Sequence, residues 1–302
     1  MKVESNRAGL CAKDCRTASY IIQIYGKYGN FSSKNSNTGL KINRFVVSLR
    51  EIDAKMRFFL YLSYNGTAYN GWQIQPNAPS VQQTIQDALT VLLKEKTEIT
   101  GAGRTDTGVH AAYYVAHMDT DNPAPLECEN FCYHLNCILP RDIAVSCIKQ
   151  VKEDAHARFD AVSREYKYYI TRRKDPFSIN TALMHTAPLN IAAMNEAAKI
   201  LFEYDDFTSF SKLHSDNKTN ICKIMESAWE ENGDILIYTV RADRFLRNMV
   251  RAIVGTLLDV GRGKIATDDV KNIIELKFRG AAGASVPPHG LFLTDIEYNE
   301  NI

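Results

Sequence analysis

The stretch that decides the fold is residues 101–111, which run Gly-Ala-Gly-Arg-Thr-Asp-Thr-Gly-Val-His-Ala. Glycines let a backbone turn sharply and let another molecule approach closely. Strand-like apolar sequence follows, so we expect Asp106 on a tight turn between two strands. Arg104 lies two residues earlier, and on an extended chain its side chain points the same way as that of Asp106. A cation beside a carboxylate favours the ionised form that a nucleophile needs, although a turn aspartate bonded to its own loop fits the same residues.

The elements around this turn predict an α+β fold. From Met56 to about residue 148 the expected order is β-α-β-β-α-β, and the same order recurs after Tyr166. Each unit has the ferredoxin-like arrangement. We therefore predict two ferredoxin-like halves, 56–155 with the Asp106 turn and 156–302, joined into one mixed, mainly antiparallel sheet with a central cleft. The expected helices are 81–94, 127–136, 190–202, 245–260 and 267–275, with caps at Ser80, Asn190 and Thr267.

Residues 1–55 differ from the rest in composition. They hold ten Lys or Arg and four Asp or Glu, a net charge of +6, whereas residues 56–302 carry a net charge of −5. Residues 32–39 have the composition of a polar linker, and the apolar run 20–25 is too short for a signal-peptide core. We expect a poorly ordered extension, with Met56 as an alternative start.

Composition indicates a soluble globular protein from a reducing compartment, which predicts the cytoplasm. The chain of 302 residues is 45% hydrophobic and 24% charged, and its longest apolar run falls short of the ~20 residues that span a bilayer. Seven cysteines, with no CxxC pair, argue against a disulfide framework. Three of them surround His134 at a spacing that fits no zinc motif, so we interpret them as apolar residues of a partly buried helix and expect no metal. They are Cys128, Cys132 and Cys137.

Four arginines fall within eleven residues at a predicted strand-to-helix junction. They are Arg241, Arg244, Arg247 and Arg251, with Asn248 beside them. The last three share a helical face at i, i+3, i+7 spacing. A helix start lined with arginine forks suits phosphate, and Asp243 alone among the intervening residues opposes their charge, which favours phosphate binding over a merely solvated face.

Aromatic and basic residues alternate along the predicted strand 163–170. Arg164, Tyr166 and Tyr168 share one face, and Arg158 adds a cation just upstream. Such a face can stack single-stranded RNA, although tyrosines are also common in ordinary sheets. The two interpretations stay open on these residues.

A hydrolytic alternative exists for Asp106. Residues 106–108 read Asp-Thr-Gly, as in aspartic proteases, where two carboxylates share a proton. The chain contains no second Asp-Thr-Gly or Asp-Ser-Gly, and its predicted elements are mixed α and β. We therefore disfavour this reading.

Residues 103–111, together with several other blocks in the same order, resemble the tRNA pseudouridine synthase A family. The resemblance covers Met56 to about Glu297. The other blocks are 64–73, 80–82, 135–140, 156–161, 207–210, 244–251 and 290–291. Asn70 and Ile74 depart from the expected polar or basic residues, so the RNA contacts of the first loop are the weakest part of the match.

The resemblance implies a homodimeric enzyme that converts uridine to pseudouridine at positions 38 to 40 of the tRNA anticodon stem-loop. Asp106 corresponds to the nucleophile and Tyr166 to a contact of the target base. Arg104 corresponds to the arginine that displaces and replaces that base, and Leu291 to an apolar residue against the uracil. Arg158, Arg247, Asn248 and Arg251 are the expected backbone-binding residues.

The implied reaction breaks the C1′–N1 glycosidic bond, turns the uracil and forms a C1′–C5 bond. It is redox-neutral, so we expect no cofactor. The base must first leave its stem. Whether Asp106 attacks the sugar or deprotonates it stays open, and Tyr166 is a candidate general base for the C5 proton. A catalytically silent structured-RNA-binding protein on the same scaffold is the alternative; it would need the arginines and tyrosines but not Asp106.

Overall fold

The structure is a computed structural model that describes residues 55–123, 125–126, 128–212 and 218–300. Almost all of the predicted extension 1–55 lies outside the described residues. The strands are β1 (Met56–Tyr64), β2 (Ile99–Gly101), β3 (His110–Thr120), β4 (Ile143–Val151), β5 (Ala161–Thr171), β6 (Leu183–Met184), β7 (Ile224–Asn232), β8 (Ile235–Ala242) and β9 (Leu291–Tyr298). The α-helices are α1 (Val81–Leu93), α2 (Phe131–Ile138), α3 (Ile191–Ile200), α4 (Met249–Gly261) and α5 (Asp269–Glu275).

The strands form one sheet in the order β4-β1-β3-β9-β5-β8-β7, with β2 beside β3 and β6 beside β5. Between the named strands of the described residues, only the pairings of β3 with β9 and of β5 with β6 are parallel. The prediction of an α+β fold with a mixed, mainly antiparallel sheet is confirmed. Alternation explains the clearest strand, β8, because Leu236, Tyr238 and Val240 are buried while their neighbours are only partly so.

Two helices begin at the side-chain caps predicted from the sequence. The Ser80 side chain accepts the Gln83 amide N–H at 3.3 Å and Asn190 accepts that of Ala193 at 3.0 Å, as predicted. The prediction for α4 was wrong at its start. Asn248 has φ +66°, a left-handed conformation, so the helix begins at Met249 rather than near residue 245. Helix α5 begins at Asp269, so Thr267 is not its cap.

Two buried apolar clusters lie along this sheet, and they exchange residues at the join between β3 and β9. Val109 comes from the chain before β3 but packs in the cluster built mainly from β5, β7, β8, α3 and α4. Leu293 and Ile296 of β9 pack in the cluster built mainly from β1, β3, β4 and α1. Tyr166 of β5 packs against both clusters. The turn that carries Asp106 is therefore anchored at the seam of the two cores.

The crossing of Val109 into the second core makes a stability prediction. Val109 is 2% exposed, and truncation to alanine removes two buried methyl groups, so we expect Val109→Ala to lower the free energy of unfolding by about 1–3 kcal/mol. Val91 on α1 is 64% exposed, and the matched Val91→Ala change should cost less than about 0.5 kcal/mol. Urea unfolding of both variants tests this, and equal losses would contradict the packing.

Candidate active site

The turn between β2 and β3 is hydrogen-bonded to the backbone of residues 66–72. The Trp72 amide donates to the Thr105 carbonyl at 3.4 Å, and the Gly108 amide donates to the Tyr69 carbonyl at 3.3 Å. Gly71 has φ +90°, and a Cβ there would lie 2.3 Å from the Thr105 carbonyl oxygen. Only glycine therefore fits this close approach, and the two loops form one rigid layer.

Buried polar groups fix the underside of the same turn. The Tyr64 hydroxyl hydrogen-bonds the Thr105 hydroxyl at 2.9 Å, and the Tyr114 hydroxyl donates to the Gly103 carbonyl. The Tyr114 ring stacks on Trp72 with centroids 4.1 Å apart. Burial raises the pKa of Tyr114 well above its ordinary value, so its hydroxyl stays a neutral donor. Tyr64 therefore holds the Thr105 side chain and Tyr114 holds the Gly103 backbone, both in the turn that carries Asp106.

His110 anchors the far end of the turn to β9. Its Nδ1 accepts the Gly66 amide N–H at 3.0 Å, so its Nε2 carries the proton and donates to the His289 carbonyl at 3.1 Å. Burial lowers the pKa of His110, consistent with this neutral tautomer, and its ring stacks on Phe292 at 4.4 Å. His110 thus links the loop at Gly66 to the start of β9.

The carboxylate of Asp106 pairs with an arginine from α4. Its Oδ2 lies 3.2 Å from an Arg251 guanidinium nitrogen, and its Oδ1 lies 3.9 Å from Nε of Arg247. Arg251 also donates from Nε to the Val286 carbonyl at 2.8 Å, which fixes its guanidinium. The Asp106 side chain nevertheless remains 26% exposed and lines a cleft. The carboxylate therefore has a cation beside it and a face that a substrate can still reach.

The expectation that Arg104 supplies this positive charge was wrong. Residues 104–106 are not extended as a strand, and Arg104 is exposed on the cleft wall. No ion pair joins it to Asp106 within the described ranges. The neighbouring cation comes instead from residue 251, far away in sequence.

The cleft has a volume of about 2080 Å³ and is strongly cationic. Among the described residues, nine Lys or Arg side chains line it against two Asp side chains. The cations are Arg104, Arg158, Arg164, Lys212, Lys218, Arg244, Arg247, Arg251 and Arg279, and the acids are Asp106 and Asp243. The net charge of the whole chain is only +1, so the positive charge is concentrated where Asp106 lies. Such a cleft attracts a polyanion.

The predicted arginine cluster divides between two environments. Arg241 pairs with Glu165 at 2.7 Å and Asp295 at 3.0 Å and does not line the cleft. Arg244 and Arg247 precede α4, so the helical face predicted for Arg244, Arg247 and Arg251 does not exist. Arg247 and Asn248 do line the cleft, and the Asn248 amide donates to the Ser285 hydroxyl at 2.6 Å.

Tyr166 forms part of the cleft wall near Asp106, whereas Tyr168 does not. The Tyr168 hydroxyl donates to the Pro287 carbonyl at 2.8 Å and its ring is fully buried, so the expected three-residue stacking face is wrong at that position. Tyr166 meets Phe245 edge to face at 5.1 Å. Burial, with a smaller contribution from Asp106, raises the pKa of Tyr166 to about 12. Its phenol therefore keeps its proton at neutral pH.

Arg164 holds three cleft segments together through its guanidinium. Its guanidinium donates to the carbonyls of Ala161 at 3.0 Å, Asp243 at 2.7 Å and Ala102 at 3.3 Å, and also to that of Arg158. Burial lowers the pKa of this arginine. Such a many-sided anchor depends on contacts between distant segments, which spacing along one strand did not reveal.

Other cleft residues were predicted with differing success. Arg158 and Leu291, both chosen from sequence, line the cleft, and Leu291 is buried in its wall. Sequence reasoning missed Arg279, which donates to the Gly283 carbonyl at 3.1 Å and to the Ser285 hydroxyl at 2.8 Å. A single arginine outside any cluster gave no signal.

Cysteine and histidine do not assemble a metal site in the described ranges, where no three His, Cys, Asp or Glu side chains converge suitably. Cys128 and Cys137 are exposed and Cys132 is half-buried on α2. Nor does any helix of the described residues combine the length and apolar character needed to cross a bilayer.

Comparison with known proteins identifies a family for this chain. A sequence model of the family described as tRNA pseudouridine synthase matches residues 61–160 and 197–299. This chain belongs to the tRNA pseudouridine synthase family. Its relatives named tRNA pseudouridine synthase A include one from Parabacteroides distasonis, 55% identical over 82% of this chain and 97% of the relative. One from Bacteroides fragilis is 54% identical over 82% and 98%, and one from Bacillus subtilis is 43% identical over 81% and 100%.

A solved structure described as an unknown protein from Galdieria sulphuraria overlaps 70% of the synthase chain and 93% of its own. Its identity is 11% and its TM-score 0.21. That similarity is too low to carry an argument about the fold.

The close approach of Gly71 to the turn that carries Asp106 is testable. In Gly71→Ala the new Cβ would collide with the Thr105 carbonyl and the positive φ would be strained, so we expect a lower melting temperature. Gly103→Ala is the matched control because a Cβ there meets nothing within 4 Å. Differential scanning fluorimetry of both variants measures the difference. A melting temperature for Gly71→Ala as high as that of Gly103→Ala would contradict the packing of the two loops.

Proposed function

We propose that this member of the tRNA pseudouridine synthase family acts on uridines 38 to 40 of the tRNA anticodon stem-loop, with Asp106 as the nucleophile. The observation that carries the proposal is the partly exposed Asp106 carboxylate, paired with Arg251 and opening on a cationic cleft. A polyanionic substrate and a single reacting carboxylate both fit that arrangement.

The coarser function rests on the family itself. As a tRNA pseudouridine synthase, the protein is an isomerase that acts on uridine in tRNA. Such a reaction breaks a C1′–N1 bond and forms a C1′–C5 bond within one nucleotide, so no redox partner is consumed. The retained Asp106 turn also favours an enzyme over a silent RNA-binding protein, which would not need that carboxylate.

The cleft supports separate roles for three of its residues during base flipping. Arg104 is exposed, so its planar guanidinium is available to occupy the space that the target base leaves. Leu291 supplies apolar surface for the uracil and Tyr166 lies at the seam of the cores. Because the pKa of Tyr166 is raised to about 12, a contact with the base suits it better than direct removal of the C5 proton.

Asp106 is the only carboxylate besides that of Asp243 among the described cleft residues. Oδ1 of Asp243 already accepts the amide N–H groups of Lys223 and Arg244 at 2.8 Å and 2.7 Å. Asp106 is thus the better placed group to attack C1′ of a flipped nucleotide. We assign Arg251 the role of orienting Asp106, because its guanidinium is already bonded on two sides.

Backbone binding falls to the exposed cations of the cleft. Arg247 is 60% exposed, and Arg158 is exposed on a facing segment. Asn248 lies between Arg247 and the start of α4, where backbone amides of the first turn lack helical partners. These groups suit phosphate oxygens at the edges of the cleft.

The architecture supports two further proposals. Strand orders β4-β1-β3-β2 and β9-β5-β8-β7 favour two ferredoxin-like halves, 56–155 and 156–302, that meet at a central cleft. A homodimer in the cytoplasm is the assembly that we propose from the resemblance. Sedimentation equilibrium of the full chain tests the dimer, and a monomer at micromolar concentration would contradict it.

The role of Asp106 makes the first functional prediction. Asp106→Asn should abolish pseudouridine formation because an amide cannot act as the nucleophile. It should leave the Kd for tRNA within about threefold, or tighten it, because a negative charge leaves a cationic cleft. Asp154→Asn, at an exposed position outside the cleft, is the control and should keep full activity. Lost binding with retained turnover would overturn the assignment.

The role of Arg247 makes the second. If it neutralises one phosphate, Arg247→Ala should weaken tRNA binding at moderate salt and reduce the slope of log K against log salt by about 1. Arg173→Ala is the matched control, since Arg173 is exposed, pairs with Asp234 and does not line the cleft. Filter binding across a salt series gives both slopes, and identical slopes for Arg247→Ala and the parent would refute the phosphate contact.

A further inference from the structure

An exposed aromatic ring stands in the wall of the cationic cleft without an assigned role. Phe159 is 74% exposed, yet it lines the cleft beside Arg158. Exposure of a whole phenyl ring to water is unfavourable, and in a nucleic-acid cleft such a ring is a surface on which a base can stack. Exposed aromatic side chains are common on protein surfaces. A binding role for Phe159 also requires that the ring is held in a fixed position.

The turn that carries Phe159 is built rigidly. Nδ1 of His156 accepts the amide N–H groups of Arg158 at 3.1 Å and Phe159 at 3.3 Å. The Asp160 carboxylate accepts the His156 amide at 2.7 Å, and the Asp160 amide donates to the His156 carbonyl at 3.1 Å. Arg164 also holds the Arg158 carbonyl. The exposed ring therefore stands on a fixed base, which lowers the entropic cost of binding.

The neighbours of the ring supply the parts of a nucleotide site. The His156 ring lies 4.2 Å from Phe159, tilted by 39°, and the Arg158 guanidinium carbon lies 5.7 Å from the Phe159 centroid. A base laid on Phe159 would extend an existing aromatic contact. Arg158 is then close enough to meet the phosphate of the same nucleotide or the next one.

We propose that Phe159 is a stacking platform for one unpaired nucleotide of the bound RNA, with Arg158 on its phosphate. The proposal rests on the proposed function, because it takes the anticodon stem-loop as the ligand. Stacking uses the face that all bases share, so this contact positions the RNA without reading its sequence. Phe159 thus fixes the distance between the loop and Asp106 while the target uridine is out of its stem.

Substitution of Phe159 should change binding much more than chemistry. Phe159→Ala should raise the KM and the Kd for a tRNA stem-loop about tenfold and leave kcat within twofold, since stacking on the ground state is uniform binding. Phe159→Trp should restore affinity. Phe177→Ala is the control, because Phe177 is 93% exposed outside the cleft; it should leave the Kd, KM and kcat unchanged.

An abasic scan identifies the nucleotide. Stem-loop RNAs that lack the base at each unpaired position in turn are titrated against the parent protein and Phe159→Ala. One position should weaken binding to the parent about tenfold and have little further effect on Phe159→Ala. Additive losses at every position would overturn the proposal, as would an unchanged Kd for Phe159→Ala or a melting temperature lowered by several degrees, which would indicate a structural ring.

Failure of this inference is distinguishable from failure of the proposed function. If the parent protein forms pseudouridine in the stem-loop but Phe159→Ala binds equally well, only the stacking role is wrong. If the parent protein forms no pseudouridine there, the proposed choice of uridines is wrong. The binding series then still tests whether Phe159 contacts the RNA.

Discussion

The structure depends on one ion pair between two distant parts of the chain, Asp106 and Arg251. Asp106 comes from the turn before β3, and Arg251 lies in the first turn of α4. The pair is close at 3.2 Å, but the carboxylate is not sealed off, because its side chain opens on the cleft. A fully buried ion pair could contribute only to stability, because no substrate could reach it. A partly exposed ion pair keeps the charged carboxylate oriented and accessible. Hydrogen bonds between residues 66–72 and the turn fix the orientation of the carboxylate.

Charge is sorted around the sheet so that a nearly neutral protein presents a cationic cleft. Arg241 is neutralised by Glu165 and Asp295. Arg247 is 60% exposed, and its ion pair among the described residues is the long one with Asp106, at 3.9 Å. The result is a local field that a tRNA backbone would meet before any specific contact forms. Overall charge would not have revealed it.

Much of the fold was predictable because its signals are local. Alternation along β8 and the side-chain caps at Ser80 and Asn190 each depend on neighbours within a few residues. The start of α4 was missed because the left-handed backbone of Asn248 is an exception to that local logic. Tyr168 was misplaced since face alternation cannot distinguish a cleft from a core when both cover the same side of a strand.

The residues predicted for the site do line the cleft, but their ion pairs and hydrogen bonds were not predicted. Asp106, Tyr166 and Arg158 were found from motif and pattern and Leu291 from the family resemblance, and all four line the cleft. The cation beside Asp106 was not, because it is 145 residues away in sequence, and contacts at that range follow from topology rather than spacing. Arg164 shows the same limit, since two of its four carbonyl partners, those of Ala102 and Asp243, lie 62 and 79 residues away in sequence.

The most direct test of the central claim is a crystal structure of Asp106→Asn bound to a uridine-containing anticodon stem-loop. We predict a flipped uridine in the cleft. Its C1′ should lie about 3–3.5 Å from the side chain at position 106, which is the separation expected of reacting atoms. A target nucleotide still stacked in its stem, or a C1′ nearer to any other carboxylate than to position 106, would contradict it.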